Sequence, residues 1–160
     1  MSLNNLAGLL YARGDLAGAR PLFERALAIR EKALGPEHPH TAMSLNSLAN
    51  LLQDEGDLAG ARPLLERALA IFEKALGAEH PNTNLTRANL ASLRLAEGAP
   101  LEALEMSELA LARLENTLGA SHPWTKATAG VAAAALDALG RAEEAAALRA
   151  RYGLGARSAT

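Results

Sequence analysis

Apolar residues near the start of the chain fall at Leu3, Leu6, Ala7 and Leu10, the i, i+3, i+4, i+7 spacing of one helical face. Gly14 then offers a backbone position tolerant of positive φ. Asp15 follows as a helix N-cap, its carboxylate able to accept from the free amides of a first turn. A second stripe runs through Ala19, Leu22, Phe23, Ala26, Leu27, Arg30, Ala33 and Leu34 and stops at Gly35. The pattern predicts two antiparallel helices, A and B, joined by a one-residue turn, with B about five turns long.

The hairpin recurs. Residues 2–43 laid over 44–85 match at 31 of 42 positions. A third copy at 86–127 keeps Leu90, Ala91, Leu93, Gly98, Ala103, Glu108, Ala110, Leu111, Leu118, Gly119, His122, Pro123 and Thr125, and a fourth from Thr128 keeps Gly140 and Ala145 in register. A fixed period of this length is the mark of a solenoid, because one hairpin cannot bury its apolar face alone and stacks on its neighbours. The expected fold is all-α, an α-solenoid of antiparallel helix pairs with about 3.5 to 4 repeats. The expected organisation is one domain over 1–152, with repeats 2–43, 44–85 and 86–127, a capping hairpin 128–152 and a flexible tail 153–160.

Each repeat joins the next through a Gly-x-x-His-Pro-x-Thr segment, and a proline at the first helical position has no amide to waste, so Pro39, Pro81 and Pro123 should open the following A helices. That entry is missing before Leu3, so the chain is expected to begin inside a repeat, with Leu3, Leu6 and Leu10 partly uncovered. Pro21 and Pro63 lie inside helix B, where each removes one backbone bond; the apolar pattern continues on both sides, which predicts a kink and not a break. In the last hairpin Glu143, Glu144, Arg149 and Arg151 should face water, as in the polar terminator of a solenoid.

Composition narrows the class. The chain has 160 residues, 49% of them apolar and 3% aromatic, as suits closely packed helices. A net charge of −2 with both signs interspersed presents no basic face, so nucleic acid is not an expected partner. There is no cysteine for a disulfide or thiolate site, and the longest apolar run, 129–136, is too short for a membrane span. A cytoplasmic location is the corresponding expectation.

The phrases Leu-Asn-Asn-Leu-Ala at 3–7, Gly-Asp-Leu-Ala-Gly-Ala at 14–19, Arg-Ala-Leu-Ala-Ile at 25–29 and Leu-Gly-Pro-Glu-His-Pro at 34–39 resemble tetratricopeptide repeats. They look like the 42-residue kind found in kinesin light chains and their bacterial relatives. The resemblance covers 2–127 well and 128–152 loosely. It implies a right-handed superhelix with A helices on the concave wall, close helix contacts at Ala7, Ala49, Ala91 and Ala133, at Ala19, Ala61, Ala103 and Ala145, and at Ala26, Ala68 and Ala110, and a function of holding segments of other proteins. Tyr152 departs from the last of these series, as a terminal cap would.

Candidate chemistry is sparse. His38, His80 and His122 recur once per repeat, but packed helices lie about 8 to 10 Å apart whereas zinc ligands converge to about 2.0 to 2.1 Å, so equivalent histidines do not share a metal. Loop packing is their expected role, and no metal or cofactor is expected. No nucleophile, base and acid trio and no phosphate loop can be drawn, so no catalytic residue and no enzyme activity are expected. Asp54, Glu55 and Asp57 cluster at one hairpin end, either solvated or docking a basic side chain. Trp124 either packs locally or touches a partner.

Asparagine is a poor helix former, yet Asn4, Asn5, Asn46, Asn50 and Asn89 lie inside A helices. Two readings stand open: an amide ladder between neighbouring A helices, or a polar strip facing a bound peptide. In the second reading Tyr11, Gln53, Ser92 and Arg94 extend the strip, and Tyr11, Arg87 and Arg94 select the ligand, the arginines favouring acidic groups. The expected function is therefore a peptide-binding scaffold within a larger regulatory or signalling protein. The alternative is self-assembly, including a homodimer, through the uncovered N-terminal helix pair.

Overall fold

The computed structural model describes residues 2–156, which form eight helices and no strand. They group into two compact units, Met1–Gly77 and Ala78–Thr160. The first holds α1 (Leu3–Ala12), α2 (Leu16–Leu34), α3 (Pro39–Asp54) and α4 (Leu58–Leu76); the second holds α5 (Pro81–Ala96), α6 (Pro100–Leu118), α7 (Pro123–Ala138) and α8 (Ala142–Arg151). Odd-numbered helices are the A helices and even-numbered ones the B helices.

One turn design joins A to B in all four hairpins. After α1, Gly14 takes φ +80°, its amide donates to the Tyr11 carbonyl, and the Asp15 amide reaches back to the Leu10 carbonyl at 3.0 Å. This satisfies carbonyls that the helix end would otherwise leave open. Asp15 then caps α2 by accepting from the Gly18 amide at 2.9 Å, and Asp57 caps α4 from Gly60 in the same way. A Cβ on Gly18 would sit 2.4 Å from the capping carboxylate, so glycine at that position keeps the cap in place. The third repeat drops the device: Ala99 gives no side-chain cap, and Pro100 at the first position with Glu102 in the first turn substitute for it.

Pro39, Pro81 and Pro123 open α3, α5 and α7 as expected. The residue before each is the cap itself. His38, His80 and His122 accept through Nδ1 from the amide two residues on, each at 3.1 Å. Their recurrence is thus explained by helix initiation, and no group of three metal-capable side chains occurs among the described residues. Pro21 and Pro63 sit inside α2 and α4 without ending them, since tertiary packing outweighs the local cost.

The alanine positions named above are buried in every repeat, so paired helices approach closely. In the first unit Ala42, Leu45, Ala68, Ile71 and Phe72 form the core, with Leu27, Leu64 and Leu76 against it. In the second, Ala132, Ala133, Ala135 and Leu136 of α7 pack on Ala103 and Leu104 of α6 and Ala145 of α8. Tyr152 fills the place that alanine takes in earlier repeats. It is buried with Leu111 and Ala129, and its hydroxyl donates to Glu115 Oε2 at 2.6 Å.

At the end of the second unit Glu143, Glu144 and Arg151 are exposed, as expected, while Arg149 is half-buried. Arg149 pairs with Asp137 at 2.6 Å, and the exposed Arg141 and Arg151 pair with Glu144 at 2.6 Å and Glu115 at 3.0 Å. Past Gly153, Leu154 packs against the Tyr152 cluster and its amide donates to the Arg149 carbonyl. Residues 157–160 of the expected tail lie outside the described residues.

Candidate peptide-binding surface

A helix that buries Leu45, Leu48, Ala49, Leu51 and Leu52 on one side must turn its remaining positions outward. On α3, past Pro39 and His40 in its first turn, those are Met43, Asn46, Ser47, Asn50, Gln53 and Asp54, all half-buried or exposed. Met43 is 40% exposed and stands one turn before Asn46 and two before Asn50, which puts an adaptable apolar side chain at the head of a polar strip. Sequence reasoning missed it, although Met43 and Leu85 occupy the same apolar position in successive repeats.

The asparagines do not share one fate. Asn50 is half-buried and its amide bonds nothing among the described residues, whereas Asn46, Gln53, Asn89 and Ser92 already hold partners. Asn5 is exposed, and only its backbone amide is used, donating to the Ser2 hydroxyl at the start of α1. Asn4 points elsewhere: it lines a cavity of about 180 Å³ with Ser2, Leu3, Ala26, Ile29 and Arg30, and its Oδ1 is buried without a partner.

The groups expected to select a ligand are engaged within the units. Tyr11 donates to Asp54 Oδ2 and sets its ring edge-on to Phe23, tying α1 to α3 and α2. Burial and the neighbouring carboxylate push its hydroxyl up to about 12. Arg87 is 7% exposed, in the position that Leu45 fills one repeat earlier, and donates to the side chain of buried Asn84. Asn84 is held in turn by the Ala78 and His80 carbonyls. Arg94 bridges Glu102 and Glu97, which raises its pKa further, Glu102 contributing most.

The acidic cluster is likewise spoken for. Asp54 accepts from Tyr11, Glu55 pairs with Arg20 at 2.8 Å, and Asp57 is an N-cap. Trp124 lies edge-on to His122 with ring centroids 5.5 Å apart, which is the local packing reading. Arg30, one of the inward positions of helix B, donates to the His40 carbonyl and the Ser44 hydroxyl at 2.9 Å each, linking α2 to the first two turns of α3.

The tetratricopeptide repeat family matches residues 1–74, 41–106 and 82–151. The chain belongs to that family. Among solved structures, a Podosopora anserina protein described as a kinesin light chain with nearly identical TPR-like repeats is similar over 94% of this chain and 72% of its own. It shares 34% identity, with a TM-score of 0.81. A variant of that same protein is similar at 33% identity and the same TM-score of 0.81, over 94% of this chain and 71% of that one. BtubC (BKLC) from P. vanneervenii superposes with a TM-score of 0.81 over 99% of this chain and 67% of its own; at 22% identity it bears on the fold alone. No curated protein matches the chain. Within the family, this tetratricopeptide repeat protein is of the kinesin-light-chain-like type, and such repeats generally mediate protein–protein interaction. No helix among the described residues is long and apolar enough to cross a membrane.

Proposed function

We propose that this chain is a non-catalytic scaffold that holds an extended segment of a partner protein against the outward faces of its A helices, with α3 as the principal contact. The observation that carries the reading is Asn50. A primary amide offers a donor and an acceptor together, as a peptide bond does, and Asn50 leaves both unspent on a half-buried face. A peptide lying along α3 satisfies both while covering Met43. Backbone bonding of this kind gives affinity with loose side-chain preference. The reading places less weight on Arg87 and Arg94 than on Asn50, because a ligand carboxylate has to displace Asn84 or Glu102 to reach them.

The test starts from a random-peptide library displayed on phage and panned against the folded chain. A selected peptide is then titrated by fluorescence anisotropy against wild type, Asn50→Ala and Asn46→Ala. Asn50→Ala should weaken binding by about 1 to 2 kcal/mol, roughly 5- to 30-fold, and leave the melting temperature unchanged or raised, since alanine is the better helix former. Asn46→Ala should lower stability as well, having a partner to lose. Equal affinity of Asn50→Ala and wild type for every selected peptide sinks the assignment to α3.

A further inference from the structure

We propose that the segment held along α3 carries a basic side chain, lysine or arginine, which docks where Tyr11 and Asp54 meet, about five residues from an apolar side chain that covers Met43. This rests on the reading of α3 as a peptide contact and adds to it the chemistry of the ligand.

The first observation is how little charge the two A helices of the first unit hold. The only ionisable side chain of α1 is the Tyr11 phenol. α3 has His40 in its first turn and Asp54 at its last position, and no lysine, arginine or glutamate. The Tyr11 hydroxyl donates to Asp54 Oδ2, which joins the last turns of the two helices. Helix C-termini carry partial negative charge, and two of them end there beside an aspartate. The outward face is thus neutral along its length and negative at one end, which is complementary to a cation at one end of a ligand.

The second observation is that Asp54 has capacity to spare. Of the three acids at this hairpin end, Glu55 pairs with Arg20 at 2.8 Å and Asp57 caps α4. Asp54 is exposed, and while Oδ2 accepts from Tyr11, Oδ1 has no partner among the described residues. The nearby arginines are turned elsewhere. Arg20 is taken up by Glu24 and Glu55. Arg13 stands two residues past Tyr11, about 200° round the helix, in the repeat position from which Glu55 turns to α2. An ammonium or guanidinium group brings the donor that Oδ1 lacks.

The third observation is the path that leads there. Gly8 and Asn50 each lie one turn before Tyr11 and Asp54, and Gly8 holds on α1 the repeat position that Asn50 holds on α3. A Cβ on Gly8 would meet nothing within 4 Å. Glycine is costly inside a helix, and this one leaves open space for a main chain beside the unspent Asn50 amide. Ser47 makes no such offer, since its hydroxyl donates to the Met43 carbonyl. Met43, 40% exposed, lies about three turns before Asp54. That is about 16 Å at 1.5 Å per residue, which an extended chain covers in about five residues.

The test uses the full chain. A random-peptide library panned against wild type should yield peptides enriched in lysine or arginine, and panned against Asp54→Asn should lose that enrichment. Asparagine keeps an oxygen for the Tyr11 hydroxyl, so the melting temperature of this variant should stay near that of wild type. For a selected peptide, replacing its basic residue by glutamine should weaken binding to wild type about 3- to 5-fold, the upper range for an exposed ion pair, and leave binding to Asp54→Asn unchanged. Raising sodium chloride should weaken wild type more steeply than Asp54→Asn. Truncating the peptide's apolar residue to alanine should weaken binding to wild type and not to Met43→Ala. A selection without basic enrichment, or one that yields no binder, overturns the proposal, as do losses from glutamine and from Asp54→Asn that simply add. A peptide weakened by Asn50→Ala and indifferent to Asp54→Asn overturns it while leaving α3 as the contact.

Discussion

The first two repeats have nearly the same residues and lie in the same unit, yet their interiors differ. Ile71 on α4 is 6% exposed and Ile29, its counterpart on α2, is 50% exposed; Phe72 is buried where repeat one has half-buried Arg30. The cause lies on the facing A helix. α3 runs sixteen residues from Pro39 and lays Thr41 and Ala42, both fully buried, in the first unit's core. α1 runs ten residues from Leu3, and a cavity of about 180 Å³ bounded by Ala26, Ile29 and Arg30 occupies the corresponding place. Identical side chains thus have different energetic weight according to whether one helical turn covers them. Arg30 fits this setting, because a guanidinium with two carbonyl or hydroxyl acceptors is tolerated at an open wall where a buried phenyl ring would be half wet.

The comparison breaks most directly through its matched isoleucines. Ile71→Ala should cost about 2 to 5 kcal/mol by urea denaturation, as large-to-small changes in packed cores do, and Ile29→Ala less than about 1 kcal/mol. Equal losses would mean that the two hairpins are packed alike in solution. Capping separates the repeats more finely. His38→Ala removes the side-chain acceptor at the start of α3 and should cost about 1 kcal/mol, with His38→Asn recovering most of it. A His38→Asn variant no more stable than His38→Ala would show that the imidazole acts by packing on His40, with which it stacks at 5.3 Å, and not as a cap.

The smallest effect concerns the tie between the two repeats, Tyr11 to Asp54. The phenol's folded pKa is pushed up to about 12 from 10.0, first by burial and then by the carboxylate. A raised folded value means the neutral form is favoured by the fold. Its contribution is therefore complete below pH 10 and is lost as pH rises through about 12. Tyr152, beside Glu115, is pushed to about 12 in the same way, and these are the only tyrosines in the chain. Tyrosinate absorbance should stay low near pH 10 and appear near pH 12, with half the amplitude in Tyr11→Phe. A component titrating at about pH 10 that disappears in Tyr11→Phe would show the α1 to α3 tie to be open in solution.

Much of this molecule was legible before any coordinates. A 42-residue period with alanine at fixed positions, glycine and aspartate at each turn and proline after each histidine determines eight helices and their pairing. Those choices are local: φ at Gly14, an acceptor at Asp15 and the missing amide of Pro39 depend on a few neighbouring residues. The family followed from the same phrases. The tertiary structure decided which polar side chains are left to act. Asn46 and Asn50 lie one turn apart on one helix, yet one holds a partner and the other none; Arg87 and Arg94, read as ligand selectors, are taken up by Asn84 and by Glu97 and Glu102. It decided too that Arg149 of α8 is taken up by Asp137 while Arg151 stays exposed beside Glu115. The physical reason is range. A helix and its caps are set by contacts within about four residues in sequence, whereas the state of a donor or acceptor depends on what another helix brings within about 3 Å of it.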